Sequence, residues 1–465
     1  MNKRKIYFRA DASATIGYGH FVRTLALADM LKDEFDCAFF TQIPTPYQIA
    51  EMEKVCPFVV LDSETKFDDF LSFISGDEIV VLDNYFYTSE YQKNIKEKGC
   101  KLVCIDDIHD RHFYADVIIN HCISSYSCYD AEDTTKFFLG VKWALLRTPF
   151  LKTVSSPKDS NQWVISFGGS DPYNLTFTYV KYLKDHLPSC QISLLLGDAY
   201  SHLKEVEAIE GVSIYSKQSA QQVADLFLSV ENVICSASTV CYEALSCGCR
   251  VFAGYYVDNQ IEFYNNLSSQ KLISPLGNLL EENPFIDFDF KDDEEKPSFS
   301  DVGTRYISIF NALSLKVVDY PTMTSSQSFK TWKCRNLQQI RQWMTNQAPF
   351  SFDMHSKFLS GLSEDSSKLY YSFFDEEIFV GSYDFVDIKD GESAERGLFV
   401  NPEYQGQNVA TMMELFLDGE IIKRGVKVLL AEVLKNNIRS YRFHLKLGYI
   451  VYKEDDNYFF LKRKI

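Results

Sequence analysis

The sequence predicts an α/β protein: two parallel sheets, each wound with helices, followed by a third α/β unit built on another plan. Three observations carry that prediction. Residues 4 to about 150 alternate short apolar runs with helical stretches, "KIYFRA", "FVRTLALADMLKDE", "CAFFTQ", "EIVVLDNY", "KLVCIDD" and "DVIINHC". Short β-branched runs separated by amphipathic segments mark parallel strands joined by helical crossovers. The same grammar restarts at "QWVISFGGSD" and continues through "ISLLLGD", "VSIYS", "NVICSAS" and "CRVFAGYY" to about residue 275. After "YPTMTSSQS" (320–328) the composition changes again.

A chain of 465 residues exceeds one ordinary core, and at roughly 100 to 200 residues per domain it should form about three. "KTVSSPKDSNQ" (152–162) reads as a linker, and the acidic, proline-bearing stretch 281–301 reads as the end of the second half. The expected domains are therefore 1–153, 154–320 and 328–465. A hydrophobic fraction of 46% beside 24% charged residues is globular composition and excludes wholesale disorder.

A formal charge of -17 repels a phosphate backbone at long range, so nucleic acid is not an expected partner. Anionic small ligands remain open, held by helix N-termini rather than by a basic surface. "MNKRKIYFRADAS" lacks the apolar core of a secretory signal, and no run approaches a membrane span. The expectation is a cytoplasmic protein with no membrane partner and an oligomeric state left open. Its twelve cysteines sit in apolar runs and form no CxxC pair, which fits reduced core thiols. Cys247-x-Cys249 is poor zinc spacing with no His nearby, so no metal is expected.

The first half opens with a strand, then Gly17 and Gly19, then His20 at the mouth of a helix whose Phe21, Leu25, Ala28 and Leu31 face the sheet. The glycines let the backbone turn tightly and approach a ligand. A helix N-terminus carries partial positive charge and favours the uncharged ring, which can accept a proton. Taken alone, such a histidine reads first as a helix cap or as loop padding.

In the second half, one strand runs into Gly168-Gly169-Ser170-Asp171 and another into Ser236-Ala237-Ser238-Thr239 and a helix. Both turns present backbone N–H groups at strand carboxyl ends, where a diphosphate can be held without basic side chains. Glu243, about one turn into that helix, is within reach of a ribose diol. Two such halves form a cleft.

The third unit has the strand "ERGLFV", ending at Phe399-Val400, and then a glycine-containing loop and a long amphipathic helix. The backbone of Gln405, Gly406, Gln407, Asn408, Val409 and Ala410 makes a pyrophosphate nest there. The strand "VKVLLAEVL" and the helix "NNIRSYRFHLKLGY" bring Asn437, Tyr441 and His444 beside it.

"RADASATIGYGHFVRTLALA", "DNY", "IDD", "ADVIIN", "GVKWALLRTPF", "SFGGSDPYNLT", "CSASTVCYEAL" and "YVDNQ" together resemble the UDP-sugar hydrolases of pseudaminic acid biosynthesis, which act on UDP-2,4-diacetamido-2,4,6-trideoxy-β-L-altropyranose. The likeness runs in order over roughly residues 3–275. It implies two Rossmann-like domains of the glycosyltransferase-B type that pass the sugar to water. It also implies that His20 is the base of a GxGHxxR motif (Gly17, Gly19, Arg23). Gly168, Gly169, Ser238 and Glu243 would bind UDP, with Ser170 and Thr239 beside them, and Asn259 with Gln260 and Tyr85 would line the cleft. Trp143, where the family often has Tyr, reads as packing.

Residues 329–465 resemble a GNAT acetyltransferase. "WKCRNLQQIRQWM" followed by His355 and Phe358 is similar to the N-acetyltransferase of the same pathway, which transfers acetyl from acetyl-CoA to the 4-amino group of a UDP-amino sugar. The loop motif stands here as Gln405-x-x-Asn408-x-Ala410, with Asn at the usual Gly, the side chain that best tolerates a left-handed backbone. The acid that protonates departing CoA falls to His444 or Tyr441, with neither preferred. The expectation is a bifunctional enzyme using UDP-sugar and acetyl-CoA. The competing readings are a glycosyltransferase, the same parts in a legionaminic-type route, and a non-catalytic nucleotide-sugar sensor.

Overall fold

The structure is a computed structural model, and it describes residues 3–12, 18–123, 125–152, 157–197, 199–281, 284–290 and 297–465. Gly17, residues 153–156 of the expected linker, and 282, 283 and 291–296 of the acidic stretch lie outside the described residues. The chain divides into two compact units, Met1–Tyr306 and Ile307–Ile465.

Besides a short two-stranded sheet that pairs His112–Phe113 with Asp130–Ala131, the first unit holds two large parallel sheets. One is built from β1 (Lys5–Ala10), β2 (Asp36–Gln42), β3 (Phe58–Leu61), β4 (Ile79–Asp83), β5 (Lys101–Ile105), β6 (Val117–Asn120) and β7 (Lys136–Leu139) in the order β3-β2-β1-β4-β5-β6-β7. In it Phe8 lies beside Phe39 on one side and Val81 on the other. The helix α1 (Gly19–Leu31) buries Phe21, Leu25, Ala28 and Leu31, the four positions the sequence pattern assigns to the sheet. Burying Phe21, Leu25 and Leu31 contributes roughly 1.5–3 kcal/mol each, and the Ala28 methyl less.

The other sheet is built from β8 (Asp159–Ser166), β9 (Gln191–Leu196), β10 (Val212–Ser216), β11 (Val230–Ser236), β12 (Arg250–Tyr255) and β13 (Ser274–Asn278), ordered β10-β9-β8-β11-β12-β13. Around it lie α2 (Leu175–His186) and α3 (Thr239–Ser246). In each sheet the strand order reverses beside its first strand. Loops leaving neighbouring strands there diverge and open a crevice at the carboxyl ends. The expected linker is shorter than 152–162, because strand β8 already begins at Asp159.

The second unit is a mixed sheet of β14 (Lys316–Asp319), β15 (Leu369–Asp375), β16 (Ile378–Lys389), β17 (Ser393–Val400), β18 (Val428–Leu434), β19 (Ile450–Glu454) and β20 (Tyr458–Lys464), ordered β14-β15-β16-β17-β18-β20-β19. Its helices include α4 (Ser325–Arg335), α5 (Phe352–Leu362), α6 (Val409–Ile422) and α7 (Ile438–Lys446). The unit begins earlier than residue 328, because Lys316–Asp319 pairs antiparallel with β15 and so is part of this sheet.

All pairs in this sheet are antiparallel except β17 with β18. That parallel pairing covers Ser393, Ala394 and Glu395 against Val428, Leu429 and Leu430 and then stops, although the strands run on to Val400 and Leu434. The two strands splay from that point, and their facing edges border cavities.

All twelve cysteines are free, and only Cys128 is exposed. Among the described residues no helix is long and apolar enough to cross a membrane.

Candidate functional site

In the first unit a cleft of about 230 Å³ opens at the carboxyl ends of both parallel sheets. From one sheet come Gly19, His20, Arg23, Tyr85, Asp107 and His121; from the other come Ser238, Thr239, Asn259 and Gln260. His20 lies in the first turn of α1 and is buried. Its Nδ1 stands 2.7 Å from Oδ1 of Asp83, the last residue of β4. Asp83 also accepts from Arg23 through Nε at 2.7 Å and Nη2 at 2.6 Å, and from the Thr24 hydroxyl at 2.8 Å. Arg23 Nη1 continues to Asp107 at 2.8 Å.

Burial alone would raise the Asp83 carboxyl, but the Arg23 guanidinium and the His20 ring outweigh it and hold the group well below the usual carboxylate range. An ionised Asp83 takes the hydrogen of His20 Nδ1 and leaves the lone pair on Nε2. The helix terminus is thus one of several fields on this ring, beside a buried anion and a buried cation.

Tyr85 sets its ring edge-on to His20 with centroids 4.5 Å apart. Burial raises its phenol well above the ordinary value, and Asn259 from the other sheet offsets part of that rise. Gln260 Oε1 accepts from the Tyr256 N–H at 3.0 Å, which fixes the loop. Ser238 is the N-cap of α3, so the first-turn N–H groups of that helix point toward the cleft opposite His20.

Three expectations fare differently. Glu243 is buried and spends both oxygens on Arg147, at 2.7 and 2.9 Å, so it closes an ion pair instead of facing a diol. Gly168, Gly169 and Ser170 form an exposed turn after β8 that is not part of the cleft wall. Trp143 is buried between the rings of Phe138 and Tyr306.

Sequence reasoning missed Asp83, Asp107 and His121, although each lies inside or next to a quoted string, "DNY", "IDD" and "ADVIIN". The available signal was their place at the carboxyl ends of strands. His121 Nδ1 accepts from the Leu145 N–H at 3.3 Å, and burial, with Arg23 second, lowers the ring to about 3, so it is a neutral donor.

The second unit holds two adjoining cavities at the splay. The smaller, about 330 Å³, is lined by Phe399, Val400, Gln405, Gly406, Asn408, Val409, Ala410 and Asn437. Gly406 and Asn408 have φ of 86° and 64°. These left-handed residues turn the chain into α6 and aim its unpaired first-turn N–H groups at one point. Gln407 points away and donates to the Glu403 carbonyl at 2.9 Å. Arg439, absent from the sequence reading, also lines this cavity and holds Gln405 Oε1 at 2.9 Å.

Asn408→Gly should leave stability within about 0.5 kcal/mol, whereas Asn408→Val should cost about 1–2 kcal/mol in thermal denaturation, because a β-branched residue resists a left-handed backbone. The Val variant should also weaken acetyl-CoA binding in calorimetry.

The larger cavity, about 600 Å³, is lined by Arg335, His355, Tyr370, Asp384, Glu432 and His444 among others. His444 Nδ1 donates to the Ser440 carbonyl at 2.6 Å, and its Nε2 is buried without a partner. Burial first and the charge of Arg396 second push the ring down to about 3. The ring is neutral, with a bare lone pair in the cavity. As it stands it has no Nε2 hydrogen to give, which corrects the expectation of a ready acid. Tyr441 lines neither cavity and lays its ring on Phe459 at 4.5 Å. His355 also has an unpartnered buried Nε2, and burial lowers its pKa. Among the described residues no His, Cys, Asp or Glu cluster could hold a metal ion.

The Acetyltransferase (GNAT) family profile matches residues 337–449. An uncharacterized protein of Methanocaldococcus jannaschii is 28% identical over 310 residues, 62% of this chain and 63% of that one. The UDP-2,4-diacetamido-2,4,6-trideoxy-beta-L-altropyranose hydrolase of Campylobacter jejuni is 27% identical over 272 residues, 55% of this chain and 93% of the hydrolase. The acetyltransferase PseH of Campylobacter jejuni strain 81-176 is 30% identical over 146 residues, 31% of this chain and 90% of PseH. The crystal structure of Campylobacter jejuni PseH with acetyl coenzyme A is similar at 27% identity and a TM-score of 0.27, covering 32% of this chain and 98% of that one.

Proposed function

Through its C-terminal part the chain belongs to the GNAT acetyltransferase family, and from that premise we propose a bifunctional enzyme of the pseudaminic acid route. The second unit acetylates the 4-amino group of a UDP-amino sugar with acetyl-CoA. The first unit, of glycosyltransferase-B type, hydrolyses UDP-2,4-diacetamido-2,4,6-trideoxy-β-L-altropyranose. The observation that carries the hydrolytic half is the His20–Asp83 pair on one wall of a cleft whose other wall presents the N-terminus of α3.

His20 Nε2 takes a proton from water. The water oxygen bonds to the anomeric carbon, the bond to the diphosphate oxygen breaks, and UDP leaves onto the N–H groups at Ser238 and Thr239. Asp83 stabilises the imidazolium that forms, while Arg23 holds Asp83 in place. Tyr85, Asn259 and Gln260 bind the sugar. UDP is a good leaving group, so no second carboxylate is required.

In the second unit the loop Gln405–Ala410 binds the CoA pyrophosphate, and the open edge at Phe399 and Val400 together with Asn437 binds the pantetheine arm. The amine nitrogen bonds to the acetyl carbon and the C–S bond breaks. His444 Nε2 relays a nitrogen proton to the departing thiolate. Arg335 supplies the cationic wall that an anionic nucleotide needs.

The test is mass spectrometry and NMR of products formed from UDP-4-amino-4,6-dideoxy sugars of both stereochemical series with acetyl-CoA. The expected products are an acetylated UDP-sugar, then free sugar and UDP, with no acceptor added. A stable acetylated UDP-sugar would remove the hydrolase, and release only upon adding an acceptor would make the cleft a transferase.

A further inference from the structure

We propose that Asp384 is the carboxylate that receives the sugar's amino group in the larger cavity and takes the proton the amine must lose before it attacks. This rests on the reading of that cavity as the acyl-acceptor site. Asp384 lies within β16, between the fully buried Tyr383 and Phe385, and its half-buried side chain forms part of the cavity wall. Among the described residues nothing donates a hydrogen bond to it. A charge in the middle of a strand, without a bonded partner, costs folding free energy unless a ligand supplies the compensation.

The neighbouring strand is shaped around this group. Asp384 pairs across the sheet with Gly397, and a Cβ at 397 would stand 2.7 Å from Oδ2 and 3.0 Å from Oδ1. Only glycine leaves the carboxylate room. The groups facing it are Tyr370 on β15, Glu395 and Arg396 on β17, Arg335 on α4, and Tyr320. Arg396 is already engaged by Glu414 at 2.9 Å. Burial raises the Asp384 carboxyl, against the pull of Arg396, to about 7. A carboxylate of that strength is matched to accepting a proton from an ammonium near neutral pH.

The balance is direct. The ammonium gives one proton to Asp384, which later returns it to water. The freed lone pair forms the C–N bond and the C–S bond breaks. The nitrogen's second proton ends on the thiolate.

The experiment uses the full chain. For wild type, calorimetry should show tighter binding of a UDP-4-amino sugar than of the same UDP-sugar bearing a 4-hydroxyl. Asp384→Asn should abolish that preference and lower kcat/KM for acetyl transfer by about 10²-fold, with acetyl-CoA binding and UDP release unchanged. Gly397→Ala should produce the same loss by displacing the carboxylate.

Stability separates this role from a structural one. Between pH 3.8 and about 7 the folded carboxyl keeps a proton that the unfolded one has lost, so the wild type loses stability as pH rises through that window. Asp384→Asn should lack that fall and melt no lower than wild type at pH 8. A preference that survives in Asp384→Asn, or that wild type never shows, overturns the proposal, as does a lowered melting temperature. Wild type that prefers the amine but never acetylates it would remove the acetyltransferase reading while leaving Asp384 as the amine's partner.

Discussion

His20→Ala should lower UDP release by about 10³-fold while acetyl transfer stays within about twofold, because the substitution removes the proposed base, along with its bond to Asp83 and its contact with Tyr85, from the first unit alone. The check is UDP release from the diacetamido UDP-sugar, followed beside CoA release from acetyl-CoA on the same preparation. Asp83→Asn should cost about 10²-fold by the same assay, since an amide N–H₂ facing Nδ1 drives the ring hydrogen onto Nε2.

That variant also separates Arg23 from one of its two carboxylates. Its stability has a definite pH signature. The folded carboxyl of Asp83 is held below its ordinary value, so its contribution is fully present above pH 3.8 and is lost as pH falls through that value and below. Asp83→Asn should therefore be less stable at pH 7 and flatter toward acid. Equal UDP release by wild type and His20→Ala would displace the base.

His444→Ala should reduce kcat for acetyl transfer by about 10²-fold at unchanged acetyl-CoA affinity, with UDP release unaffected. The ring packs under Tyr449 at 5.1 Å, so His444→Gln serves as the better-filled companion. Because burial holds the folded ring at about 3 while the unfolded one titrates at 6.5, the wild type gains stability as pH rises between those values, and both variants should lack that gain. Tyr441→Phe should change kcat less than about twofold, since its ring rests on Phe459 outside both cavities. A loss in Tyr441→Phe equal to that in His444→Ala would return the relay to the tyrosine.

Much of this was legible along the chain. Strand–loop–helix order, the mouth of α1 at Gly19-His20, and the left-handed need at Asn408 all follow from patterns a few residues long, where periodicity and backbone sterics act locally. Glu243 shows where such reading ends. Its place on a helix was right, but a guanidinium 96 residues away at Arg147 occupies its oxygens. Tyr441 and His444 are three positions apart on α7, and periodicity could not separate them. Packing did, by setting one ring on Phe459 and burying the other against Tyr449.

By itself, then, the sequence determined the α/β grammar of the halves and which loops carry glycines and helix starts, because hydrophobic spacing and turn chemistry are properties of neighbouring residues. Only the tertiary structure decided that His20 meets Asp83 across 63 residues, that Gly397 makes room for Asp384, and that β17 and β18 part after Glu395. Those arrangements arise from strands paired out of sequence order, and pairing depends on the packing of the whole sheet rather than on any local pattern.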